Sequence, residues 1–95
     1  MATYLVLLRF TEQGAKNLKK STARAGDFRE AAAKTGVAVE AQYWTVGSAD
    51  GVLILKADQE AAVLRCIASL AAEGNVRTQT MRALDAKEFE AIAGK

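Results

Sequence analysis

The chain has 95 residues, room for one domain spanning residues 1–95, with 51% apolar and 25% charged residues and a net charge of +2. That balance excludes a disordered chain, and the charge is too small to argue for nucleic acid by itself. Histidine is absent and Cys66 is the single cysteine, which removes Ser-His and Cys-His nucleophile pairs, histidine metal sites and any internal disulfide.

The first element is Thr3 to Phe10, dense in β-branched and aliphatic residues, which predicts a strand. The opening MATYLVLLRF has no basic leader or small-residue cleavage site, and its apolar run is too short to span a bilayer. With the lone thiol, this points to the cytoplasm. Thr11 to Lys20 predicts a short helix loosened by Gly14. Ser21 or Thr22 then caps a second helical stretch to about Lys34, stopped by Gly36.

Val37 to Val46 is the second strand. The turn cluster Gly47-Ser48-Ala49-Asp50-Gly51 joins it to a third strand, Val52 to Ala57, in a hairpin. Asp58 is placed to cap the next helix, in which Ala62, Val63, Cys66, Ile67 and Leu70 recur at helical spacing up to Gly74. Asn75 to Ala83 is a fourth strand. Asp85 with Glu88 forms a capping-box pattern ahead of a short last helix carrying Phe89 and Ile92.

The order β-α-β-β-α-β, closed by a further helix, predicts an α+β, ferredoxin-like fold. Right-handed crossovers give a four-stranded antiparallel sheet ordered 4-1-3-2, with both long helices on one face. The central strands carry apolar residues of both parities: Leu5 and Leu7 against Val6 and Leu8, and Val52 and Ile54 against Leu53 and Leu55. A sheet covered on one side alternates apolar with polar. These strands do not, so the second face predicts a homodimer stacked sheet on sheet, because the last helix is too short to cover it.

Pairing rules bring the end of the first strand, the end of the second, the hairpin loop and the start of the fourth to one edge. There Arg9, Tyr43, Trp44, Asp50, Asn75 and Arg77 are candidate ligand-binding residues. Guanidinium groups suit carboxylates and the rings supply stacking, so a small anionic or aromatic ligand fits. The plainer reading pairs Asp50 with Arg9 or Arg77 and leaves Trp44 in the core or a dimer interface.

Lys56 and Arg82 fall at the opposite end of the sheet and read as solvated. Lys16, Lys19, Lys20 and Arg24 form a basic cluster that reads first as a solvated helix face, since no aromatic residues interleave it. Cys66, among apolar residues, reads as a small core residue. No motif cradles a phosphate, and neither a cofactor nor a metal is implied.

The segments Thr3-Tyr4-Leu5-Val6-Leu7-Leu8, Thr11-Glu12-Gln13-Gly14, Tyr43-Trp44-Thr45-Val46-Gly47 with Asp50-Gly51-Val52, and Gly74-Asn75-Val76-Arg77-Thr78 resemble the GYD-domain proteins. The likeness runs over nearly the whole chain. In the name-giving Gly-Tyr-Asp signature this sequence reads Ser48-Ala49-Asp50, keeping the Asp alone. The resemblance implies the dimeric α+β barrel class and no particular activity.

Two functions follow as expectations. One is a homodimeric small-ligand-binding or assembly domain without catalysis. The alternative is an enzyme similar to the cofactor-independent monooxygenases or isomerases of that barrel class, acting on a small aromatic or lactone substrate, with Asp50 as a base. Nucleic-acid binding through the basic cluster ranks last, and no membrane role is expected.

Overall fold

A computed structural model describes residues 1–94. The elements are β1 (Ala2–Phe10), α1 (Glu12–Lys16), a 3-10 turn (Leu18–Lys20), α2 (Ser21–Lys34), β2 (Ala38–Trp44), β3 (Gly51–Ala57), α3 (Glu60–Ala72), β4 (Val76–Ala83) and α4 (Ala86–Ala93). The sheet has four strands in the order β2-β3-β1-β4, the predicted order read from the other edge. Every neighbouring pair is antiparallel. The protein is therefore an α+β, ferredoxin-like domain.

Alternation sorts the strand residues onto two faces. Tyr4 and Val6 of β1 and Leu53, Leu55 and Ala57 of β3 are buried beneath α2 and α3. Phe28 and Ala32 of α2 and Ala62, Val63, Cys66 and Ile67 of α3 close that core. Leu5 and Leu7 of β1 and Val52 and Ile54 of β3 take the other face and remain half-buried, each screened only by its neighbours.

The helix ends are decided by more than local sequence. Gly36 ends α2 at a φ of +86°, a conformation that costs glycine little. Asp85 and Glu88 make the predicted capping box, with the Glu88 amide donating to Asp85 Oδ1 at 2.7 Å and the Asp85 amide to Glu88 Oε1 at 3.0 Å.

Two predicted caps are corrected. Ser21 begins α2 behind Lys20 and makes no cap, because its hydroxyl accepts the Trp44 indole N–H at 2.9 Å. Asp58 is displaced as cap of α3 by Gln59, and its carboxylate lies 3.7 Å from the N-terminal ammonium.

Two other polar residues read as solvated have partners. Lys56 meets Glu40 at 3.3 Å, and Arg82 meets Glu88 at 3.7 Å while standing 5.9 Å over the Tyr4 ring. Cys66 is buried as a free thiol with Sγ 2.9 Å from Thr35 Oγ1.

The radius of gyration is 14.1 Å, against about 12 Å for an ordinary domain of this length. Helix α4 matches that extended shape, with Phe89 60% and Ile92 70% exposed. Among the described residues no helix is long and apolar enough to cross a membrane.

Candidate functional site

The predicted edge of the sheet exists, and a stitched corner forms its floor. The Thr11 hydroxyl accepts the Gly14 amide at 3.1 Å, which caps α1, and donates to the Gly74 carbonyl at 2.5 Å. The Thr11 amide donates to the Asn75 carbonyl at 3.1 Å. Gln13 Nε2 donates at 3.0 Å both to the Glu73 carbonyl and to Asn75 Oδ1. Gly14 is buried against the same loop, and a Cβ there would collide with the Asn75 carbonyl.

Asp50 locks the hairpin to the end of β1. Its amide donates to the Leu8 carbonyl at 2.8 Å, its carbonyl accepts the Thr45 amide at 2.9 Å, and its Oδ2 accepts the Phe10 amide at 2.8 Å. It forms no ion pair with Arg9 or Arg77, contrary to the plainer expectation. Arg9 Nε donates instead to the Ser48 carbonyl at 2.7 Å.

Between the helix-facing side of the sheet, α2 and the end of α3 lies a cavity of about 50 Å³. Its apolar wall includes Leu8, Phe28, Leu53 and Leu70, and Trp44, Arg24, Gln42, Asp50 and Asn75 also contribute to it. The space holds a few water-sized groups, far below the roughly 300 Å³ at which drug-sized ligand pockets begin. A second groove of about 400 Å³ runs between α2 and α3, past Ala32, Thr35, Cys66 and Ser69.

The sequence-derived candidates thus divide. Tyr43, Trp44, Asp50 and Asn75 contribute to the cavity, whereas Arg9 and Arg77 do not. Those two arginines are direct partners across β1 and β4, on the face that carries Leu5 and Leu7. Tyr43 pairs with Val52 on that face, so it reaches the cavity only at its margin. Ser21, Gln42 and Phe28 are wall residues that the sequence reading did not pick out. Among the described residues no cluster of three His, Cys, Asp or Glu could hold a metal ion.

A corner built from Thr11–Gly14 and Gly74–Asn75 and a hairpin fixed by Asp50 define the class: a ferredoxin-like domain closed by backbone locks at one sheet edge. The sequence matches the GYD domain over residues 4–93, and the chain belongs to that family. It is 35% identical over 85 residues to the glutamine synthetase and cystathionine beta-lyase binding protein of Thermus thermophilus, covering 88% of this chain and 90% of that protein. In three dimensions it is similar to the crystal structure of TTHA0845 from Thermus thermophilus. The TM-score is 0.58 at 22% identity, over 90% of this chain and 96% of the other, a likeness of fold alone.

Proposed function

We propose that this chain is a non-catalytic assembly domain of the cytoplasm, pairing with a second copy of itself and, as a dimer, binding a metabolic enzyme. The observation that carries the reading is the uncovered apolar face of the sheet. Leu5, Leu7, Val52 and Ile54 have no helix over them, and a contiguous apolar surface of that kind marks an interaction site. The exposed Phe89 and Ile92 of α4 and the extended shape agree with a protomer whose surfaces are completed by another. The relative's printed name supports the second half, since it describes a protein that binds two enzymes.

Small-ligand binding is the narrower part of the proposal. At about 50 Å³ the cavity takes only a small group, and Arg24, Asp50 and Glu73 are the charged residues along it. The enzyme reading is weaker, because one oxygen of the Asp50 carboxylate it would use as a base is committed to the Phe10 amide and fixes the hairpin.

The test is light scattering of the purified chain alone and after mixing with glutamine synthetase or cystathionine beta-lyase from the same organism. A dimer that co-elutes with either enzyme is expected. A monomer at micromolar concentration removes the dimer, and separate elution from both enzymes removes the partner class. Turnover of a quinol or lactone with oxygen uptake would replace the proposal with the enzyme reading.

A further inference from the structure

In the proposed dimer the open sheet face is covered by the second copy, so an enzyme partner needs another surface. Another patch lies at the stitched edge. Leu18, Trp44 and Val46 are 51%, 48% and 105% exposed. The Trp44 indole bonds to Ser21, the residue directly after the 3-10 turn that carries Leu18. The end of β2, two residues before Val46, is therefore tied to the start of α2 next to that turn.

Val46 stands on a braced loop. The Thr45 amide and hydroxyl donate to the Asp50 and Ala49 carbonyls at 2.9 and 2.7 Å, and Arg9 holds the Ser48 carbonyl at 2.7 Å. A fully exposed aliphatic side chain on a fixed loop is an anchor whose ordering cost was met on folding.

The segment that carries Leu18 is cationic. Lys16, Lys19, Lys20 and Arg24 fall within nine residues that contain no acid. Lys16 meets Glu12 at 3.4 Å, and Arg24 donates to the Asn17 carbonyl at 2.9 Å. Lys19 and Lys20 have no ion pair among the described residues. An aromatic and aliphatic centre with a charged rim is the usual anatomy of a protein-binding patch. Nucleic acid fits less well, because Leu18 and Val46 leave Trp44 as the single ring of this patch, whereas single-strand binding stacks successive bases on several rings.

We infer that the hairpin loop and the 3-10 turn together form the docking surface for the partner enzyme, whose matching face presents an apolar recess for Val46 and Trp44 ringed by carboxylates. This rests on the assembly reading and adds the surface and the charge of the partner. Attraction across such a rim speeds association and weakens with salt.

The experiment measures binding of the full chain to immobilised glutamine synthetase and cystathionine beta-lyase at low and high salt. It compares wild type with Val46→Asp and with the double variant Lys19→Glu, Lys20→Glu. All three positions are exposed, so thermal melts should coincide. Each variant should weaken binding roughly tenfold or more, the double variant losing most of the salt dependence. Wild-type binding that both variants retain overturns the inference and leaves the assembly reading standing. Absence of wild-type binding to either enzyme removes both. Fluorescence anisotropy with a labelled single-stranded RNA and a DNA duplex supplies the last arm: binding that only the double variant loses, with enzyme binding intact, assigns the lysines to nucleic acid and overturns the inference.

Discussion

On β1, Tyr4 and Val6 are 5% and 0% exposed, while Leu5 and Leu7, one residue along, stay half-buried. The same contrast runs along β3, where Leu53 and Leu55 are sealed and Val52 and Ile54 are not. Residue type does not separate the faces. Topology does, because both crossovers place their helices on one side. The covered face holds the sealed core, and the open face is apolar surface with no helix over it.

The covered face gives the largest expected effect. Leu53→Ala removes a side chain that is 1% exposed under α2 and α3 and should cost about 3 kcal/mol through lost burial and a residual cavity. Urea titration checks this. A loss below about 1 kcal/mol would mean that the helical layer relaxes onto the sheet. The stitched corner comes next. Gly14→Ala drives a methyl into the Asn75 carbonyl, and about 2 kcal/mol should be lost as β1 and the loop before β4 part. An unchanged midpoint would show that the corner yields freely.

Asp50→Ala follows, at about 1–2 kcal/mol, because it leaves the half-buried Phe10 amide without an acceptor. Asp50→Asn should recover most of this, since an amide oxygen can still accept. If both variants kept full stability, the carboxylate would not be holding the hairpin. Asp50 would then need another role, such as contact with a ligand.

The two faces differ in how readily the sequence gives them away. Strand and helix types, the strand order and the doubly apolar β1 and β3 follow from periodicity and crossover handedness, and each was legible. The parity of Arg9 with Leu5 and Leu7 is also present in the sequence and puts Arg9 on the open face. Strand β2 hid its own parity, because the register shifts between Val39 and Ala41 and exchanges the faces of everything after it.

Ser21 and Asp58 have the chemistry of caps, yet their partners, Trp44 and the N-terminal ammonium, lie far away in sequence. No local pattern carries such pairings. The same holds for Gly14, whose small size answers to Asn75, although both segments carried the family resemblance. Asp50 stands out in the loop sequence, but its hold on the backbone depends on Phe10 and Leu8, which no pattern within the loop carries.

The open face supplies the smallest effect on the protomer and the sharpest test of the comparison. Ile54 lies near the middle of that face, paired with Leu5 on one side and Ala41 on the other. Within a lone protomer, Ile54→Lys exchanges one half-exposed side chain for another whose ammonium can reach water, so it should change stability by about 0.5 kcal/mol or less. Between two stacked sheets the same substitution places like charges in an apolar interface, where neither has a partner. Light scattering should then report a mass near 10.1 kDa in place of twice that, and the thermal midpoint should no longer rise with protein concentration. A variant that remains dimeric would move the self-contact elsewhere, to α4 or the groove between α2 and α3. A variant that unfolds would show that Ile54 contributes to the protomer's own core, and the division between the two faces would fail at its centre.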